Sequence, residues 1–326
     1  MMPKPHITRR RVRKAPVARI IQDGWKQHSI AGLEILTAKV FDSIPWVVHA
    51  FSTRKGGTSR LNGAASLNLG FVDWDLRENV IGNRGAFIRA MSGAATASKS
   101  AAKIASEAAL ITVRQIHSDV VQVFSTASAK PSQGDALLCA EPGLLLGIQT
   151  ADCVPILLAD PQRRVVAAVH AGWRGTLARI AAKTLGRMQL EFGTRPEDVI
   201  AALGPAIGPC CYEVGPEVAQ AFSGQFAEAA EWFEGPFERL ATGEEPNPLP
   251  WLTMMPPGHE PPPERVQLDL RAANRWKLVR AGLNPRNIAV SALCTSCRTD
   301  LFFSYRKEGA GTGRMMSVIG IAPNSR

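Results

Sequence analysis

Three side chains able to bind a soft metal, or to combine into a nucleophile and its base, stand beside short apolar runs: His117 in QIHSDVV, Cys153 in TADCVPILL and His170 in HAGWRGT. Zinc accepts thiolate and imidazole, and a set of three protein ligands leaves its fourth tetrahedral position open, the arrangement of a catalytic rather than a structural site. Copper also suits two imidazoles and a thiolate. The other histidines, however, are His6, His28, His49 and His259, and no His-x-His pair occurs, so the imidazoles of a polynuclear copper cluster are missing. The spacings of 36 residues from His117 to Cys153 and 17 from Cys153 to His170 match no compact zinc-finger pattern. The same residues suit a second chemistry, with Cys153 as nucleophile and His170 as its base, that of a thiol hydrolase or amidase. Spacing leaves both open.

Other residues could serve either chemistry. The polar glycine loop STRKGG at 52–57 offers backbone N–H groups and Arg54 to an anion, or is an ordinary turn. Asn68 in SLNLG is a turn former or a substrate contact. Asp152 and Asp135 are candidate proton-transfer carboxylates by nearness in sequence, with Asp152 equally able to orient a loop. Cys294 and Cys297 form a CxxC with no second CxxC or His pair nearby, and Cys210 and Cys211 are adjacent. All four read as structural thiols. No GxGxxG, P-loop or GxSxG signature is present, which argues against dinucleotide, P-loop and serine-hydrolase chemistry.

The elements that must position these residues are strands and helices in mixed order. Leu144 to Ile148 and Val165 to Val169 read as buried strands that deliver Cys153 and His170 at or just beyond their ends, where α/β sheets carry ligands. Ile44 to Phe51 and Met316 to Ile321 read as further strands. Helices are expected over Leu76 to Met91, over Thr176 to Glu191 stopping at Gly193, over Pro216 to Phe226, and after Asp269, which can cap. The class predicted is α/β with a partly antiparallel, mixed sheet.

Residues 1–30 read as a basic, disordered leader, residues 31–326 as a single catalytic domain, and about 235–263 as a proline-rich insertion within it. Seven Lys and Arg and no acid fall in residues 1–19, so of the formal charge of +10 only +3 belongs to the remainder. Nucleic acid is therefore not the expected partner. No apolar run reaches the roughly 20 residues of a bilayer span, and no apolar stretch follows the arginines as in a secretory signal. The expectation is a cytoplasmic protein, without membrane contact, whose six cysteines are thiols.

Taken together, STRKGG at 52–57, SLNLG at 66–70, QIHSDVV at 115–121, TADCVPILL at 150–158, HAGWRGT at 170–176, GPAIGPCCYEVG at 204–215, LDLRAANR at 268–275 and FFSYRKEGAGTGRMMSVIG at 302–320 resemble one family. It has been labelled laccase-like or multicopper polyphenol oxidase, and also peptidoglycan editing factor. The resemblance implies a zinc-dependent purine nucleoside phosphorylase acting on adenosine, inosine, guanosine and methylthioadenosine, with adenosine deaminase activity. It further implies zinc bound by His117, Cys153 and His170, a nucleoside and phosphate as partners, and an α-β-α sandwich similar to toxin-like cysteine hydrolases. That last similarity keeps alive a Cys153/His170 thiol hydrolase acting in peptidoglycan editing. A third alternative is a non-enzymatic interaction module built on the leader and the proline-rich insertion.

Overall fold

A computed structural model describes residues 24–94, 108–126, 132–243 and 265–323. The chain opens with strands β1 (Trp25–Ile30), β2 (Leu33–Ala38), β3 (Val47–Ser52), β4 (Lys55–Leu61) and β5 (Ala64–Ser66), then helix α1 (Arg77–Ala94). Six strands follow: β6 (Ala109–Thr112), β7 (Val121–Phe124), β8 (Ala136–Cys139), β9 (Leu144–Thr150), β10 (Val154–Asp160) and β11 (Val165–Ala171). Helices α2 (Trp173–Leu177) and α3 (Ile180–Phe192) lead to β12 (Ile200–Leu203), β13 (Glu213–Val214), α4 (Pro216–Ser223), β14 (Phe233–Glu234) and α5 (Phe237–Thr242). The last elements are β15 (Val266–Leu268), α6 (Leu270–Arg280), β16 (Ile288–Val290), α7 (Tyr305–Glu308) and β17 (Met315–Ile321).

Two six-stranded sheets carry the fold, in the orders β1-β2-β3-β17-β9-β6 and β16-β12-β10-β11-β8-β7. Both are mixed. In the first only the edge strand β6 runs parallel to its neighbour, and in the second both edge strands, β16 and β7, do. The apolar alternation explains why they stack. Leu146, Ile148 and Ile319 of the first sheet meet Leu157, Val166 and Ala168 of the second in a shared core. The opposite faces are covered by helices: α1 lays Phe87, Ala90 and Met91 on Leu145 and Val318, while α3, α4 and α6 bring Leu185, Met188, Phe222 and Leu278 against Ile156, Ala167 and Leu203. Strands covered on both faces read as unbroken apolar runs, and every residue of β10 and β11 is buried.

The α/β class with mixed sheets is as expected, and the strand layer between the helices is two sheets thick. The apolar runs show that both faces are covered but not by what, so pattern alone could not count the sheets. Two boundaries differ from expectation. Trp25–Ile30 falls in the stretch read as leader, yet it pairs along its whole length with β2 and buries Trp25 against Phe51. The helix expected over Thr176 to Glu191 is two helices, because Arg179 adopts a left-handed φ of 63°. Gly193 does end α3, at φ 66°, as a left-handed cap requires, and the Asp269 side chain accepts from the N–H groups of Arg271 and Ala272 at the start of α6. The rest of the leader, nearly all of the Ala/Ser stretch near 92–106, and residues 244–263 of the proline-rich insertion lie outside the described residues. None of the described helices is long and apolar enough to cross a membrane.

A buried lysine lies among the aromatic rings of the outer core. Lys277 of α6 is 2% exposed, and its Nζ has no hydrogen-bond partner among the described residues but sits 3.9 Å and 4.0 Å from the ring centres of Phe226 and Trp232. Burial, and then the charge of Arg179, pull its pKa down to about 7. Between that value and the ordinary lysine range the unfolded chain binds a proton that the folded chain does not, so stability rises with pH across this window. Replacing Lys277 with Met, which keeps the volume, should flatten the rise. Urea midpoints of both proteins between pH 7 and 10 are the check, and parallel curves would refute the assignment.

Candidate metal centre

Strand register does most of the assembly. In the β10–β11 hairpin Val154 pairs with Ala171 and Pro155 with His170, which sets Cys153, one residue before β10, beside the end of β11. On the other side of β11, Val169 pairs with Ala136, so Asp135 lies next to His170, and the His170 N–H donates to the Asp135 carbonyl at 2.7 Å. His117 arrives on the loop before β7, the strand parallel to β8. The His117, Cys153 and His170 ligand atoms all lie within 4.8 Å of one another, and the two imidazoles meet edge to face at 4.9 Å between ring centres.

The fully buried Asp135 carboxylate ties these loops together. Its Oδ1 accepts from His170 Nδ1 at 2.8 Å and from the His117 N–H at 3.0 Å. Its Oδ2 accepts from the Ser118 N–H at 2.6 Å, the Ser118 hydroxyl at 2.7 Å and the Ile116 N–H at 3.2 Å. Burial on its own would raise the Asp135 pKa; the donors, His170 foremost and then Ser118, outweigh it and hold the carboxyl far below the usual range. A proton kept on Nδ1 leaves Nε2 of His170 as the free donor atom. The loop pays with a left-handed φ of 57° at His117.

Charge is arranged to keep Cys153 anionic. Burial would raise its pKa, but the positive charge of His170, and then hydrogen bonds from His117 and His170, bring it well below the ordinary thiol value. The pairing acts in reverse on His170: desolvation would lower its pKa, and the Cys153 thiolate and Asp135 raise it. Space is arranged as well. A Cβ on Gly172 would come within 3.0 Å of Cys153 Sγ and 3.2 Å of His117 Cδ2. The backbone there is ordinary extended chain, so it is room for the two side chains, not backbone freedom, that requires glycine.

The other candidates lie differently. Asp152 is buried, and its carboxylate accepts from Thr295 Oγ1 at 2.6 Å, the Arg306 N–H at 2.7 Å and Ser304 Oγ at 3.0 Å. These bonds tie Asp152 to the segments around Thr295 and Ser304, and Asp152 also lines the cavity above the three ligands. Arg54 binds Glu308 at 2.6 Å and the Thr299 carbonyl at 2.9 Å, with its guanidinium over Phe303. Asn68 is fully buried, bridging Gly70, Asp75 and the Arg314 N–H. Neither Arg54 nor Asn68 lines the cavity above the three ligands. The reason is that the fold brings them other partners, Glu308 and Thr299 to Arg54 and Asp75 and Arg314 to Asn68.

That cavity measures about 990 Å³, with His117, Cys153 and His170 in its wall and Arg84, Arg114, Arg306 and Arg314 around them. Arg84 is held by the Leu69 carbonyl through Nε at 2.9 Å, while its buried Nη2 has no hydrogen-bond partner among the described residues. Burial, and then the charge of Arg77, lower its pKa to about 10. The rings of Phe71 and Tyr305 also line the cavity and are about half exposed, at 49% and 54%. None of these arginines was a sequence-level candidate. Arg306 and Arg314 stand in FFSYRKEGAGTGRMMSVIG at 302–320, but Arg84 lies on an undistinguished helix face and Arg114 beside a short strand.

Known proteins resemble this chain in sequence and in fold. A purine nucleoside phosphorylase of Deinococcus radiodurans is 38% identical over 84% of this chain and 89% of its own length. An adenosine deaminase from an unknown prokaryotic organism is 37% identical over 57% of this chain and 61% of its own. The crystal structure of YlmD from Geobacillus stearothermophilus superposes with a TM-score of 0.70 at 32% identity, covering 92% of this chain and 99% of that one. A family model matches residues 48–322, a span that takes in β17, the hairpin of Cys153 and His170, and the loop of His117, and by that match the chain belongs to the family described as multi-copper polyphenol oxidoreductase laccase.

Proposed function

We propose that this protein is a purine nucleoside phosphorylase that also deaminates adenosine, with zinc held by His117, Cys153 and His170. The observation that carries the proposal is the pairing of that ligand set with an arginine-walled, ring-bordered cavity large enough for a nucleoside and an anion. The donor set fits zinc: two imidazoles, one with its tautomer fixed by Asp135, and a thiol already driven toward its anion. It fits a copper cluster poorly, since His28 and His49 are engaged by Thr37 and the Ala38 N–H and do not line the cavity. When bound, zinc would supply a Lewis acid toward the purine and would activate water for deamination.

The chain's own groups account for the rest. In phosphorolysis the bond from C1′ to the purine nitrogen breaks, a phosphate oxygen bonds to C1′, and the departing base takes up a proton. Positive charge develops on the ribose while a doubly charged nucleophile approaches. Arg84 and Arg314 supply guanidinium groups that bind and orient that phosphate, and the unpartnered Arg84 Nη2 gains an acceptor. Tyr305 offers a ring face to the purine, while the Phe71 ring packs against the Arg84 guanidinium at 4.5 Å. Deamination exchanges the amino group at C6 for oxygen and releases ammonia, without phosphate. The Asp135–His170–Cys153 chain would equally serve a thiol hydrolase, but that chemistry gives no role to His117, whose imidazole stands with theirs.

Adenosine or inosine incubated with and without phosphate, followed for free base and ammonia, tests the activity directly. No phosphate-dependent base, and no ammonia from adenosine, would dispose of it. Arg84→Gln and Arg314→Gln should raise the KM for phosphate by roughly ten- to hundred-fold, the worth of a charged hydrogen bond of about 1.5–3 kcal/mol, and leave deamination much less changed. Equal losses in both reactions would show that these arginines do not bind phosphate.

The metal can be examined separately. Asp135→Asn should weaken zinc binding about 10–100-fold, and Gly172→Ala should weaken it by crowding Cys153 and His117. Chelator competition reads both variants. Unchanged affinity in both would remove the proposed roles of the buried carboxylate and the vacant Cβ position.

A further inference from the structure

The four thiols that sequence separates into an adjacent pair and a CxxC are one cluster in space. We propose that Cys210, Cys211, Cys294 and Cys297 form a second metal site, a tetrathiolate centre for zinc, distinct from the cavity. Their sulfur atoms all lie within 4.8 Å of one another, with Cys297 Sγ 3.5 Å from Cys210 Sγ and 3.4 Å from Cys211 Sγ. Four sulfurs arranged tetrahedrally about zinc, at Zn–S distances of about 2.3 Å, stand about 3.8 Å apart. The observed spacing is therefore that of a single ion. Iron–sulfur clusters, with several irons and bridging sulfides between the thiolates, hold their cysteines farther apart. It is also too long for disulfides, whose sulfurs are about 2.05 Å apart, and all four cysteines are free.

The chemistry of the surroundings agrees. Four thiolates with no nitrogen or carboxylate donor among them select a soft ion and close its coordination sphere, the mark of a structural rather than a catalytic site. The Gly208 N–H donates to Cys294 Sγ at 3.2 Å, a bond that stabilises sulfur as an anion. A Cβ on Gly208 would come within 3.2 Å of Cys210 Sγ and 3.4 Å of Cys294 Cβ, so the glycine keeps the loop close to both pairs.

The fold explains how the pairs meet. β12 and β16 are parallel neighbours, and the pairing continues past their ends, where Ala206 bridges to Cys294 and the Thr295 N–H donates to the Ala206 carbonyl at 3.1 Å. The two thiol pairs are therefore delivered side by side by parallel chains. These loops have a second task. The Ile207 N–H holds the Asp152 carbonyl at 2.9 Å, and Thr295 Oγ1 holds the Asp152 carboxylate. A metal that joins them fixes both supports of the residue immediately before Cys153.

The test uses the full-length chain carrying Cys153→Ala and His170→Ala, which disables the candidate active-site centre without touching the four thiols. The protein is purified under reducing conditions, dialysed against metal-free buffer, and measured for zinc by elemental mass spectrometry and zinc-edge X-ray absorption. The expected result is about one zinc per chain with sulfur-only ligation at about 2.3 Å. Adding Cys297→Ser, at an exposed position, should remove it. A chain free of zinc, or zinc with nitrogen or oxygen neighbours, or full zinc retention in the Cys297→Ser variant would each overturn the proposal.

Discussion

The hydrogen bond from His170 to the buried Asp135 carboxylate is the contact on which the site depends. One oxygen sets the tautomer of His170 and also holds the His117 backbone, so two of the three candidate ligands are oriented by one group. A buried carboxylate is costly unless its acceptor sites are filled. Here three backbone N–H groups, a hydroxyl and an imidazole fill them. The unusual backbone of His117 persists because its surroundings fix it, as strained residues at functional sites require.

Cys153 has a corresponding support on its other side. Asp152, at φ 92°, is held by donors from the loops after β12 and β16 and from the start of α7. The two aspartates perform similar mechanical tasks: each is a carboxylate that collects donors from distant segments and fixes the neighbour of a chemically active residue. Both contribute geometry, since each ties together segments that flank a candidate ligand.

The sequence made some features legible because the responsible physics is local. The cap at Asp269, the stop at Gly193 and the buried runs of β9 and β11 depend on a few adjacent residues. His117, Cys153 and His170 could be singled out by chemical type, and the family resemblance joined them, whereas their proximity comes from the register of β10, β11 and β8. Other features depend on pairing between remote segments and left no local sign. Asp135 reads as a candidate proton-transfer carboxylate by nearness in sequence alone, and its bonds to His170 and to the His117 loop appear only once β8 lies beside β11. Arg54 and Asn68 have the types expected of substrate contacts, but Glu308 and Asp75 are the partners the fold gives them. The cysteine pairs are joined only by the parallel pairing of β12 with β16.

The strand order has a consequence during synthesis. β17, formed by residues 315–321, lies between β3 and β9 at the centre of the first sheet. Until that segment leaves the ribosome, β3 and β9 each present an unpaired edge, and their apolar faces have no complete layer to pack in. Open edges of this kind recruit other strands, and partly folded chains that expose them are prone to aggregate. The nascent chain therefore cannot close its inner core progressively from the N-terminal end. Completion waits for one late strand, and shielding those two edges is the task this topology hands to the cell's folding machinery.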